Sequence, residues 1–267
     1  MKLFSQFRND PRLLQAPLLW TYAFAAREWF NHERPHYVLL VTFIATYATE
    51  LLVGWFRYKK ITKPLPALII CPSITTLCYS PEYSFYVCAG ILASLSKGFL
   101  LEKGRHVFNP SNFGICALIL LFPNWFTGIT DTFSGLKLVS GWFLISGLFN
   151  AWNSKTLSIS VSYLVAMYLC FAARGFFFDW NIDPSTFVAF CINPVILIYA
   201  FHMINDPATA PKNLTPRIIY GTILGCSVVT LGYYGITNSH FISLFVLSGL
   251  LVPFKDYLNK KTVPNPI

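Results

Sequence analysis

Long, continuous apolar runs separated by short polar connections make up most of this 267-residue chain. The runs do not alternate apolar and polar residues as the strands of a membrane barrel do, so they predict helices, which satisfy their own backbone hydrogen bonds in hydrocarbon. The pattern predicts an all-α, polytopic integral membrane protein that forms a single membrane domain over residues 1–267. About ten segments are predicted: 13–30, 36–56, 65–80, 83–101, 112–126, 138–152, 156–178, 187–204, 217–236 and 240–254.

Some of these segments are short or interrupted by proline, and such segments occur in both halves of the chain. Residues 65–80 and 112–126 are too short to cross a bilayer comfortably, which indicates broken or re-entrant helices covered by protein or by a cavity. The prolines that break segments are Pro66, Pro72, Pro194 and Pro207. Broken helices at corresponding places predict two five-helix repeats, residues 1–126 and 138–260.

Composition excludes an ordinary water-soluble domain, because 55% of the residues are hydrophobic and only 12% are charged, against roughly 25% charged in a typical soluble domain. The net charge of +9 is spread over short loops, so membrane lipid, and not nucleic acid, is the predicted partner of the basic residues.

The distribution of lysine and arginine predicts the topology. With a cytoplasmic N-terminus and ten spans, only Arg27, Arg34, Lys137 and Arg174 fall outside, and Lys97 lies within a span, which leaves fifteen of the twenty basic residues inside. We therefore expect a multi-pass protein of the bacterial inner membrane with both termini in the cytoplasm. Residues 1–12 do not resemble a cleaved signal peptide, so the first span is expected to be retained.

The seven cysteines form no C-x-x-C pair and lie mostly within apolar runs. We interpret them as small buried hydrophobic residues and predict neither a metal site nor a disulfide.

A polar stretch at residues 96–114 stands out in this apolar chain. Asn109 can cap a helix whose first turn holds Pro110, and a helix N-terminus beside an arginine is suited to an anion. Two plainer interpretations remain open: Lys97 can snorkel to headgroups, and Asn-Pro-Ser is a common helix start. The candidate cofactor-binding residues of this stretch are Lys97, Arg105, His106, Asn109 and Asn112.

A second polar break at residues 201–217 is expected to form the opposite wall of the same site. Its candidate binding residues are His202, Asp206 and Thr209. Asp206 also has a structural alternative, as a helix cap or a partner for a basic residue such as Lys212. A single histidine near a helix end is commonly a hydrogen-bonded structural residue, and paired histidines for haem are not evident.

Glu50 is an acid within a predicted span, where a charge costs roughly 2.5 to 3.5 kcal/mol on insertion scales. Its depth predicts Lys97 or Lys103 as its partner.

Three stretches resemble the signatures of one known superfamily: residues 10–15 (DPRLLQ), Ser96-Lys97 with residues 105–114 (RHVFNPSNFG), and residues 205–211 (NDPATAP). The superfamily contains the D subunit of the Rnf electron-transport complex and the B subunit of the sodium-pumping NADH:quinone reductase. The closest resemblance is to its UnbU-like branch, which is associated with enediyne biosynthesis. It implies a urea-transporter-like fold of two inverted repeats, a flavin between them, and a redox subunit instead of a stand-alone enzyme.

One departure bears on the cofactor. The Rnf and reductase subunits attach FMN to the threonine of a Ser-Gly-Ala-Thr motif, whereas the nearest strings here, residues 134–137 and 140–142, lack that threonine. No covalent FMN is therefore expected, and the resemblance implies FMN or riboflavin held noncovalently. No nucleotide-binding or iron–sulfur motif is evident, so a redox partner protein or another membrane subunit is expected to exchange electrons with the chain.

The residues alone leave two other functions open. Broken helices also suit a transporter or channel for a small polar solute, and the same scaffold can serve a partner enzyme without chemistry of its own.

Overall fold

Ten α-helices make up most of the described chain in this computed structural model, which describes residues 10–30, 35–128, 137–177, 188, 190–206 and 209–254. They are α1 (Arg12–Phe30), α2 (His36–Val53), α3 (Ala67–Leu77), α4 (Ser84–Phe99), α5 (Pro110–Leu121), α6 (Lys137–Asn153), α7 (Leu157–Phe177), α8 (Pro194–Ile198), α9 (Leu214–Tyr233) and α10 (Ser239–Leu250). Both termini, which are predicted to be cytoplasmic, lie outside the described residues. So do residues 134–136, which belong to the first of the two strings that lack the attachment threonine. So does Pro207.

Among the residues that the structure describes, three helices are long and apolar enough to cross a membrane: His36–Tyr58, Leu157–Phe177 and Leu214–Tyr233. The first of these is α2 together with a π-helical turn, Gly54–Tyr58, and a second π-helical turn, Tyr199–Met203, extends α8. An all-α membrane protein, as the sequence predicts, agrees with this architecture.

The short helices occupy the places where the sequence predicts broken segments. Helix α3 ends in the two-residue strand β1 (Cys78–Tyr79), which pairs antiparallel with β4 (Thr127–Gly128) after α5. In the second half, Asn193 has extended backbone and its side chain accepts a hydrogen bond from Val195 N, so α8 begins anew at this point. The start of α8 leaves backbone N–H groups without partners inside the helix, and protein buries the residues of α8.

Small residues bring two pairs of helices into close contact. On α4, a Cβ added to Gly90 would collide with the Thr46 hydroxyl oxygen of α2. On α9, a Cβ added to Gly225 would lie 2.5 Å from the Tyr163 carbonyl oxygen of α7. In each half, therefore, the second and fourth helices pack closely at a glycine.

The cysteines depart in part from the prediction that they are buried. Cys71, Cys78 and Cys116 are buried, but Cys88 is exposed and the other three are half-buried. The prediction is wrong for Cys88 because an apolar run does not show which face of a membrane helix points away from the protein.

Candidate functional site

A cavity of about 420 Å³ lies where the two polar breaks meet. Its walls come from the starts of α1, α3 and α5, the ends of α4 and α6, and the π-helical turn after α8. The short hairpin β2 (Leu101–Glu102) and β3 (Arg105–His106) closes one side, because β3 brings its two residues to the cavity. The volume falls within the range of roughly 300 to 1,000 Å³ that small-molecule sites occupy.

Six of the eight predicted binding residues line this cavity, and two do not. The six are Lys97, Arg105, His106, Asn109, His202 and Asp206. Asn112 is buried elsewhere, where its amide donates a hydrogen bond to the Phe241 carbonyl oxygen over 3.1 Å. Thr209 turns its hydroxyl toward the Asp206 carbonyl oxygen, at 3.3 Å. Both therefore have local structural partners instead of a place in the cavity wall.

Asn109 joins the two breaks directly. Its side-chain oxygen accepts a hydrogen bond from Asn112 N at 3.1 Å and so caps α5, as Asn-Pro-Ser predicts. Its amide nitrogen donates to the Met203 carbonyl oxygen at 2.9 Å, in the π-helical turn of the second half. One side chain therefore serves as a helix cap and as a contact between the walls.

His202 is held in one tautomer by a chain of hydrogen bonds. Ser146 donates its proton to the Trp142 carbonyl oxygen, so the Tyr22 hydroxyl, 2.5 Å away, must donate to Ser146. Tyr22 then accepts from Nε2 of His202, at 3.3 Å. On the other side of the ring, the Asn150 amide nitrogen lies 3.3 Å from Nδ1, which must accept. His202 is therefore a neutral, oriented imidazole.

Two buried side-chain oxygens at the cavity have no hydrogen-bond partner. The Asn150 amide nitrogen also donates to the Phe201 carbonyl oxygen at 3.1 Å, which fixes the orientation of the amide and leaves its Oδ1 unpaired. The Asn205 amide nitrogen donates to Ser160 at 2.6 Å, and its Oδ1 is likewise unpaired. Both residues line the cavity. These two acceptors can be satisfied by a ligand with N–H or O–H groups or by ordered water in the cavity.

Charged groups of both signs border the cavity, with basic groups in excess. Arg12 forms two hydrogen bonds of 2.8 Å to the Asp10 carboxylate, and both residues line the cavity. These bonds hold the pKa of Asp10, which precedes α1, below its ordinary value. With Lys97, Arg105 and Asp206, the wall holds three basic and two acidic side chains. Arg12 is paired with Asp10, and Lys97 is paired with Glu50, which is not itself part of the wall. The wall therefore offers N–H donors to a ligand without a net positive charge.

Lys97 does not snorkel to the headgroups. Its ammonium nitrogen lies 2.7 Å from Oε1 of Glu50, whose side chain is 2% exposed. The predicted partner of Glu50 is thus confirmed as Lys97, which itself lines the cavity.

Sequence reasoning missed several polar residues of the wall. They are Asp10, Arg12, Gln15, Ser73, Ser111, Asn150, Ser154 and Asn205. The first three lie in the 10–15 signature and Asn205 lies in the second break, so the motifs contained a signal for them. Asn150 had none, since a single amide in an apolar helix does not show which neighbour it meets.

Within the part of the chain that the structure describes, no group of three or more His, Cys, Asp or Glu side chains is placed to hold a metal ion.

Comparison with known proteins relates the chain to one kind of membrane protein. It is 28% identical to the D subunit of the ion-translocating oxidoreductase complex of Salmonella arizonae, over 90% of this chain and 89% of the relative. The protein of the same name from Salmonella newport is 27% identical over the same shares. That from Shewanella pealeana is 27% identical over 45% of this chain and 36% of the relative. No protein-family model matches the chain.

These similarities support the superfamily that the three signatures indicate, and with it a membrane protein related to electron-transport subunits. The affinity to the UnbU-like branch stays a prediction. The alignment to the Salmonella arizonae protein spans 322 positions and covers 90% of this chain, so about 82 of those positions have no residue of this chain.

Proposed function

We propose that this chain is an integral membrane electron-transfer subunit that binds a flavin noncovalently in the cavity between its two halves. The relatives are named as subunits of an oxidoreductase complex, which favours redox chemistry over the transport of a solute. The main support for a flavin is that the buried amide oxygens of Asn150 and Asn205 have no hydrogen-bond partner in the protein. They lie in a wall that also holds basic groups.

The residues present fit an isoalloxazine ring. The ring carries one N–H donor between two carbonyl oxygens, and either Asn150 or Asn205 offers an acceptor for that donor. Lys97 and Arg105 offer donors for the carbonyl oxygens, and their positive charge favours the extra electron density of a reduced ring. Ile69 and Ile70 add apolar surface to the same cavity. A phosphate, if the flavin is FMN, would meet Arg12 near the more exposed rim, where Nη1 is outside the two hydrogen bonds that Arg12 makes to Asp10.

A bound flavin supplies one- and two-electron transfer. The chain's own residues would bind it, orient it and exclude water. The neutral His202 imidazole is fixed by Tyr22 and Asn150, so it presents a constant face to the cavity and adds no positive charge to the wall.

The packing supports two inverted repeats over residues 1–126 and 138–260. Helix α4 ends at the cavity with Lys97, whereas α7 begins just beyond Ser154, which lines it. Arg217 in the first turn of α9 donates a hydrogen bond to the Lys155 carbonyl oxygen, so α9 also begins at this level. Helices α2 and α4 thus end at the level where α7 and α9 begin, as an inverted repeat requires.

The proposed setting is the bacterial inner membrane, with both termini and the cavity on the cytoplasmic side. The basic residues of the connections support this orientation. A second membrane subunit or a soluble redox protein would exchange electrons with the bound flavin.

The visible spectrum of the purified protein tests the proposal. A flavin spectrum is expected, and acid precipitation should release the chromophore into the supernatant, because no covalent bond retains it. A colourless protein that also fails to take up FMN or riboflavin would refute the proposal, and a chromophore that stays with the precipitate would refute noncovalent binding.

A matched pair of variants tests the cavity as the site. Asn150→Leu removes an unpaired acceptor and is expected to weaken flavin binding about tenfold, as the loss of one hydrogen bond of about 1.4 kcal/mol implies. Asn153→Leu makes the same change one turn further along α6, outside the cavity wall, and should bind flavin normally. Equal affinities in the two variants would exclude Asn150 as the acceptor, and equal affinities in Asn205→Leu as well would place the flavin outside this cavity.

A further inference from the structure

Two cysteines on neighbouring helices lie in direct contact, away from the cavity. The thiol of Cys170 on α7 donates to the sulfur of Cys226 on α9 over 3.1 Å, although the residues are 56 apart in sequence. Both residues are half-buried, and neither is committed to a disulfide.

This contact is built by the backbone packing of α7 and α9. A Cβ added to Gly221 would lie 2.5 Å from the Ile159 carbonyl oxygen, and one added to Gly225 would lie 2.8 Å from Met167 N. The helices run in the same direction, because later positions on α9 meet later positions on α7. Cys226 follows Gly225 and Cys170 comes three residues after Met167, so the close approach of the backbones continues to the two sulfurs.

We propose that Cys170 and Cys226 form a reversible dithiol–disulfide site, with a membrane-soluble quinone as the oxidant. A disulfide has a sulfur–sulfur distance of about 2.05 Å, so the two sulfurs need to approach by roughly 1 Å. Both S–H bonds break and one S–S bond forms. The two electrons and two protons pass to the quinone, which becomes a quinol.

The surroundings give a hydrophobic oxidant access to the pair. Leu169, beside Cys170, is 64% exposed, and Ile223, one turn before Cys226, is 47% exposed, so this side of both helices faces the lipid. A metal ion is a poorer match for the two thiols, since in the described part of the chain they have no third ligand to complete a group.

The position along the helices also favours oxidation. Arg174 lies 4.8 Å from the centre of the Tyr233 ring, which marks the shared end of α7 and α9, and Cys170 is about 6 Å below it. The predicted topology puts this end on the side of the membrane opposite the cytoplasm. On that side, glutathione does not keep thiols reduced. The site rests on this helix contact alone and does not depend on a flavin in the cavity.

Mapping of free thiols in the full-length protein tests the proposal. The protein, reconstituted in lipid nanodiscs, is treated with decylubiquinone, whose fully substituted ring does not add to thiols. It is then denatured in excess N-ethylmaleimide, digested and analysed by mass spectrometry. We expect five labelled cysteines instead of seven and a linked peptide pair that contains Cys170 and Cys226. A membrane-permeant phosphine should restore all seven labels.

Two variants serve as controls. Cys226→Ser should show six labelled cysteines with or without quinone, whereas Cys191→Ser, which alters another half-buried cysteine, should still form the bridge. Seven labels after quinone treatment, or a bridge that maps to other cysteines, would overturn the proposal. A bridge that forms with copper–phenanthroline and oxygen but not with the quinone would overturn the assignment of the oxidant.

Discussion

Replacing Lys97 by methionine removes the cation that faces the buried carboxylate of Glu50. The two charged atoms are 2.7 Å apart, and the Glu50 and Lys97 side chains are only 2% and 23% exposed. At an effective dielectric constant of 20, charges at this distance attract by roughly 6 kcal/mol, much of which offsets their removal from water. Loss of one partner leaves the other charge buried, so we expect Lys97→Met to destabilise the protein by about 3 to 5 kcal/mol.

The double variant Glu50→Gln/Lys97→Met separates the ion pair from the individual side chains. With both charges gone, no uncompensated carboxylate remains, and we expect most of the stability to return. The measurement is reversible unfolding in mixed micelles, titrated with sodium dodecyl sulfate, for the wild type, both single variants and the double variant. A loss below 1 kcal/mol in Lys97→Met, or additive losses in the double variant, would refute the argument.

The same variants distinguish stability from ligand binding. Lys97 lines the cavity, whereas Glu50 lies behind it. If Lys97 contacts a bound flavin, as the proposed function implies, the double variant should regain its stability but still bind flavin more weakly than Glu50→Gln. Full recovery of binding in the double variant would show that Lys97 acts only through Glu50.

Three further substitutions, the first with a control variant, have defined outcomes. Gly225→Ala should destabilise by about 1 to 3 kcal/mol through overpacking of α7 against α9, while Gly141→Ala, where a Cβ meets nothing within 4 Å, should be nearly neutral in the same unfolding titration. Asn109→Ala should cost about 2 kcal/mol, because it removes a helix cap and the bond to Met203; thermal unfolding in detergent measures this, and an unchanged midpoint contradicts it. Asp10→Asn should cost at most about 1 kcal/mol at neutral pH. The difference from wild type should begin to shrink as pH falls below about 4 and vanish once pH is below the lowered pKa of folded Asp10, because the carboxyl stabilises the fold only while it is ionised.

The sequence predicts the helices and the two walls of the cavity well, because the signals involved are local. Continuous apolar runs define helices, and Asn109 before Pro110 defines a helix start. The sequence does not show that Asp206 lines the cavity whereas Thr209 does not. The Thr209 hydroxyl turns to the backbone of its own loop. Whether a short polar side chain serves the cavity or its own turn depends on the fold of the loop.

Contacts between distant segments were beyond sequence reasoning. Asn150 meets its hydrogen-bond partners only when the two halves have packed, because they lie on the π-helical turn 51 residues away. The same holds for Cys170 and Cys226, which a spacing of 56 residues does not connect. Glu50 and Lys97 are the exception, because a buried acid demands a base at its own depth and few were available.

The double role of Asn109 limits how the two halves can move. Its bond to Met203 is one of several between them: Gln15 on α1 also donates to the His202 carbonyl oxygen at 3.0 Å, and Tyr22 bonds to Ser146. A rocking motion that opened the cavity to alternate sides of the membrane would break these bonds together. These bonds oppose such a motion. If a redox group binds between the halves, as proposed, they would help to keep its distance to a donor and an acceptor constant, which is the condition for a reproducible rate of electron tunnelling.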